Sequence, residues 1–148
     1  MSTEELIKRP ILEILSAEEL REIITPSIDG PREYSLVVNS FIFRADFAFD
    51  LPDGSWLFIE DDDAQRAVSN LAKYWMWMGF NKINYGVHLF HIIGPGLPSH
   101  KELCQFISAK ISHYFPAFQY ELIVAKDWKS LGWREELKDL IHSLANKF

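Results

Sequence analysis

Polar and apolar positions alternate twice in quick succession, and then the period changes. Phe43 to Asp50 and Trp56 to Asp61 repeat with period 2, with Leu51-Pro52-Asp53-Gly54-Ser55 between them. That pattern predicts a β-hairpin closed by a tight turn. Counting outward from Asp53 pairs residues whose numbers sum to about 106. Asp50 then lies opposite Trp56, and Asp46 opposite Glu60. Partners across antiparallel strands have Cβ atoms roughly 4.5–5.5 Å apart, so the two carboxylates repel unless a cation or proton sits between them. Phe43, Ala45, Phe47 and Phe49 form the parity that demands burial. Asp46 is left beside Arg44, Ala48 and Asp50, while Glu60 shares a face with Trp56, Phe58 and Asp62.

From Asp63 to Gly79 the spacing turns helical, with Val68, Leu71, Ala72, Trp75 and Met78 as the buried stripe and Gly79 at the C-terminus. Upstream, Ser2 to Leu15 reads as a helix with Ser2 and Glu5 as a capping box; Pro10 either begins a second turn or kinks the first. A second capping box at Ser16-Ala17-Glu18-Glu19 opens a short helix ending near Thr25-Pro26, and Ser27 to Arg32 is a loop. Tyr34 to Ile42 is a strand in which Asn39-Ser40 is either a turn or the strand's middle. Downstream, Ile83 to Ile93 is a strand apolar enough to be buried on both faces, broken by Gly94-Pro95-Gly96. A helix from Ser99 to Phe115, a strand from Gln119 to Ala125 and a helix from Gly132 to Lys147 complete the chain, the last turning Leu137, Leu140, Ile141 and Leu144 inward. This order predicts an α/β fold, a mixed β-sheet flanked by helices.

Composition narrows the picture. The 148 residues amount to a single domain, 1–148, and an aromatic share of 14% calls for a large core. The lone Cys104 rules out an intramolecular disulfide; with no secretory signal at the start, it points to the cytoplasm. No apolar run is long enough to span a bilayer. A net charge of -6 argues against an obligate, strongly basic nucleic-acid binder but leaves room for a local basic groove.

Asp46 on one hairpin strand, Glu60-Asp61-Asp62 at the end of the next and a helix opening near Gln65 together resemble the PD-(D/E)XK nuclease superfamily. The resemblance runs roughly from Ser2 to Ile93. It implies an αβββαβ restriction-endonuclease-like core, here with an added helix-strand-helix. It also implies hydrolysis of nucleic-acid phosphodiester bonds, with DNA ranked ahead of RNA as the substrate, by means of Mg²⁺ or Mn²⁺. Such ions take oxygen ligands, polarise the phosphate and activate water. On this resemblance Asp46 and Glu60 hold the metal, with Asp61 completing the site through its main-chain carbonyl. Gln65 matches a glutamine that some exonuclease-like members carry on the following helix, and Glu5 or Glu13 matches an acidic residue of the first helix. A homodimer is compatible with the family.

The chain departs from the pattern at two places. Ala45 stands where the signature has proline, and Asp62 stands where it has lysine. Some relatives supply that lysine from the following helix, which makes Lys73, about two turns beyond Gln65, the replacement ahead of Arg44. On the pattern alone, Asp62→Lys should restore or raise activity. The rival from another class is a catalytically inactive interaction module on the same fold, its acidic edge facing a protein partner.

Other residues have plainer readings. Asp62 and Asp63 precede a helix and suit capping or solvation, with Asp63 the cap. His88 and His91 differ by an odd number on a strand, so they cannot share a face, and a core histidine is the reading for each. His100 and His113 have no identifiable partner. Cys104 is a buried small residue, and Tyr74, Trp75, Met76 and Trp77 are core.

Overall fold

The computed structural model describes residues 4–15, 25–26 and 34–148. The chain begins with a π-helical turn, Glu4–Lys8, that runs into helix α1, Arg9–Leu15. Strands β1 (Thr25–Pro26), β2 (Tyr34–Val38), β3 (Phe41–Ala45), β4 (Phe47–Asp50) and β5 (Trp56–Asp62) follow. Helix α2 (Ala64–Phe80), strand β6 (Val87–Ile93), helix α3 (Pro98–Tyr114), strand β7 (Phe118–Val124) and helix α4 (Gly132–Ala145) complete it. The second capping box and the 27–32 loop lie outside the described residues.

The main sheet has the order β1-β4-β5-β6-β7. Antiparallel β4 and β5 pair Phe47 with Ile59 and Asp50 with Trp56, the register counted from the turn. Strands β5, β6 and β7 run parallel, joined by α2 and α3. The fold is thus mixed α/β. Among the described residues no helix is long and apolar enough to cross a membrane. At the hairpin turn, Gly54 has φ +86°, a conformation that glycine adopts without Cβ strain, and its N–H donates to the Leu51 carbonyl at 2.9 Å.

Two apolar layers sandwich the sheet. Ile7 and Ile11 of the N-terminal helix pack with Trp133, Leu137, Ile141 and Leu144 of α4 against Leu57, Ile59, Phe90 and Ile92. On the other face Leu71, Tyr74, Trp77 and Met78 of α2, and Cys104 and Ile111 of α3, cover Phe58 and Leu89. The buried stripe of α2 is Ala67, Leu71, Tyr74 and Met78 with Trp77. It is turned by one position from the stripe read off the sequence; Ala72 is exposed. Asp63 caps α2, its Oδ1 accepting the Arg66 N–H at 2.9 Å. Leu97, followed by Pro98, caps α3 in place of Ser99.

Two expected strands are each split. Tyr34–Ile42 breaks at Asn39-Ser40, where Asn39 takes φ +50°, and β2 folds back on β3 as a separate two-stranded sheet. Phe43–Asp50 breaks at Asp46. Phe43 and Ala45 pack into the α2 layer, whereas Phe47 and Phe49 pack into the α4 layer. The unbroken apolar parity conceals this change of sheet.

Pro10 is accommodated from a distance. It has no N–H to give the Leu6 carbonyl four residues back. Arg134 Nη2 of α4 donates to that carbonyl at 3.3 Å and to the Trp128 carbonyl at 3.4 Å.

Candidate functional site

The bend at Asp46 makes the site. Strand β4 begins at Phe47, opposite Ile59, so among the described residues Glu60 to Asp62 lack an antiparallel partner and are paired only with β6. The Asp46 side chain takes the vacant place: its Oδ2 accepts the Asp61 N–H at 3.1 Å. The Asp46 N–H in turn donates to Glu60 Oε1 at 3.4 Å. Alternation along β5 then divides three acids between the two faces. Glu60 and Asp62 point toward α2, and Asp61 points toward the N-terminal helix that brings Lys8 close.

Glu60 is 3% exposed, and Tyr74 of α2 donates its hydroxyl to Glu60 Oε1 at 2.6 Å. Burial pushes the Glu60 carboxyl well above the usual carboxylate range, and the neighbouring Asp46 pushes it further. Burial raises Asp61 likewise, to about 9, with Asp46 adding to the shift and Lys8 opposing it. Asp46 is thus the acidic neighbour of both residues, bonded to the side chain of Glu60 and to the main chain of Asp61. Three carboxyls crowded in this way need shared protons or a cation.

A cavity of about 740 Å³ opens beside them. Asp46, Asp61, Asp62 and Asp63 line it, together with Lys8, Arg66, Asn70, Lys73 and Trp128. Glu60 lies behind that wall. The Trp128 ring packs on Gly94, where a Cβ would stand 2.6 Å from Cζ2. The cavity therefore has an acidic floor, a cationic rim and one aromatic side.

The donor set suits a hard divalent cation. All its donors are carboxylate or main-chain oxygens, and Asp61 Oδ1 is buried with no hydrogen-bond partner among the described residues. Among those residues no group of three or more His, Cys, Asp or Glu side chains forms a preformed metal cage. An ion here would thus be held by one or two of the carboxylates and water, as Mg²⁺ commonly is.

Asp46 and Glu60 come together, but not as the expected cross-strand pair: Asp46 sits at the bend outside the β4–β5 ladder and meets the Glu60 side chain through its N–H. Lys73 joins them at the rim. Asp62 is 8% exposed and fully engaged: Asn70 Nδ2 donates to its Oδ1 at 2.5 Å, and His91 Nε2 meets its Oδ2 at 2.7 Å. Gln65 is exposed and outside the lining, and Glu13 lines a different cavity beside Arg134 and His142. The Glu5 side chain lies outside the described residues. Arg44 is exposed on β3, opposite Ser35.

Sequence reasoning missed Lys8, Arg66, Asn70 and Trp128. Asn70 carried a faint signal, since it lies within one turn of Lys73 on the same helix. Trp128 lies far away in sequence and carried none. No family model matches the chain, and neither a curated protein nor a solved structure matches it.

Proposed function

We propose that this protein is a metal-dependent phosphodiesterase of the PD-(D/E)XK type, acting on nucleic acid and on DNA in preference to RNA. One observation carries the reading: Asp46, bonded to the Asp61 main chain and beside the buried Glu60, lines one cavity with Asp61, Lys8, Arg66 and Lys73. The order of β4, β5, α2 and β6 supports the restriction-endonuclease-like arrangement.

Asp46 and Asp61, with Glu60 behind them, are the groups to hold Mg²⁺ or Mn²⁺. A bound ion supplies polarisation of the phosphate and a water acidified enough to attack it. Lys8, Arg66 and Lys73 draw the phosphate backbone to the rim and offset its charge. Lys73 takes the part of the lysine missing at position 62. A negative chain with this rim binds nucleic acid locally, through one groove rather than over its whole surface.

The test is nicking of supercoiled DNA with Mn²⁺ or Mg²⁺, beside calorimetry of Mn²⁺ binding. Wild type should bind Mn²⁺ and nick; Asp46→Asn should lower the rate by about 10²-fold or more while the fold persists. The carboxyl at position 62, where the family has lysine, favours the alternative of a non-cleaving interaction module. A wild type that binds no Mn²⁺ at millimolar concentration and cleaves neither DNA nor RNA decides for that module.

A further inference from the structure

Asp62 is the meeting point of two hydrogen-bonded arms. From the core, the Tyr120 hydroxyl on β7 lies 2.8 Å from His91 Nδ1, and His91 Nε2 lies 2.7 Å from Asp62 Oδ2. From the cavity, Lys73 Nζ donates to Asn70 Oδ1 at 3.3 Å, and Asn70 Nδ2 donates to Asp62 Oδ1 at 2.5 Å. A carboxylate only accepts, so every bond in both arms can run toward Asp62. His91 Nε2 then carries the proton that faces Asp62, and Nδ1 receives the Tyr120 hydroxyl.

This polarity fixes the amide of Asn70. Its NH₂ must face Asp62, so its oxygen must face Lys73. We propose that Asn70 is a positioning residue that aims the Lys73 ammonium into the cavity, and that the Asp62–His91–Tyr120 arm holds Asn70 for that task. The inference rests on the metal-dependent cleavage reading above. It accounts for an aspartate where the resemblance expects a lysine. Asp62 anchors the residue that orients a lysine borrowed from the helix. It also accounts for a fully buried histidine whose two ring nitrogens are both engaged.

The test compares Asn70→Ala, Lys73→Ala and the double variant in Mn²⁺-dependent nicking, with Mn²⁺ affinity followed by calorimetry. A misplaced catalytic group costs on the order of 10²-fold. Asn70→Ala should therefore lower kcat by about that factor with KM and Mn²⁺ affinity unchanged. The double variant should be no slower than Lys73→Ala alone, because the two residues act as one unit. Tyr120→Phe, which keeps the ring and removes only the hydroxyl, should lower kcat by several-fold, roughly within the same 10² bound. Full activity in Asn70→Ala, or multiplicative losses in the double variant, would overturn the proposal and leave the cleavage reading standing. An inactive wild type sinks the cleavage reading instead. Crystal structures then decide the positioning claim: a Lys73 ammonium in the same place in wild type and Asn70→Ala overturns it.

Discussion

At the start of β5, Asp53 Oδ1 accepts the Ser55 N–H at 2.9 Å and the Ser55 hydroxyl at 2.5 Å. At its end, Asp46 Oδ2 accepts the Asp61 N–H at 3.1 Å. Both carboxyls stand in for a missing main-chain partner, yet their surroundings differ. Asp53 faces solvent, and its bonds to Ser55 hold it below the usual carboxylate range. The acids around Asp46 are buried against one another, and Glu60 and Asp61 are held above that range. A hydrogen bond to the main chain is stabilising for one isolated anion. For Glu60 and Asp61, desolvation and the neighbouring Asp46 outweigh such bonds. The first end is a turn device, while the second gathers acids that hold their protons tightly.

The contrast breaks most severely at Asp62. Asp62→Lys would place a cation against the Asn70 amide N–H groups and His91, with no acceptor left between the two arms. Removing one partner of a buried charged network costs about 3–5 kcal/mol. Urea denaturation should show a loss of that order, and nicking should fall. The sequence alone leads to the opposite expectation, a gain on restoring the family lysine. Unchanged stability together with faster nicking would mean that the two arms have no structural weight.

Next in size is the pH response. Glu60 and Asp61 bind protons more tightly folded than unfolded, so their contribution is complete below the ordinary carboxylate range. It is lost as pH rises toward the folded values, about 9 for Asp61. The melting temperature of the metal-free chain should fall from about pH 5 to about pH 9, and Mn²⁺ should flatten the slope by replacing those protons. Asp53 has the opposite sign, since its contribution is lost as pH falls through its lowered value. A melting temperature that rises over that range without metal would show that the acids are not coupled as described.

The smallest effect is local. Tyr74→Phe keeps the packing against Phe58 and Trp77 but leaves Glu60 Oε1 without its hydroxyl donor. A loss of about 1–3 kcal/mol in urea denaturation is expected. The same measurement on Gln65→Ala should move by no more than about 0.5 kcal/mol, because that residue is exposed.

Much of this was legible in the chain because it is local. The turn residues set the β4–β5 register from Phe47–Ile59 to Asp50–Trp56, whereas the meeting of Asp46 and Glu60 depends on the bend beyond it. The split at Asp46 was hidden because Phe43, Ala45, Phe47 and Phe49 keep one parity through a bend that sends them to different layers. The α2 stripe was misjudged by one position because Tyr74 is drawn inward by a polar partner, Glu60, rather than by apolar spacing. Reading His91 as a core histidine was sound. Its partner Asp62, 29 residues away, leaves no periodic trace.

The Arg134 bond to the Leu6 carbonyl joins residues 128 positions apart. It clamps the segment carrying Lys8 to a helix that is synthesised long after it. At about 5–20 residues per second, Asp46, Glu60 and Lys73 are made several seconds before Arg134. During that interval the acidic floor exists but the wall bearing Lys8 has no anchor in α4. A growing chain that lacks Arg134 therefore carries an incomplete cavity, and the full cavity assembles only after α4 is made.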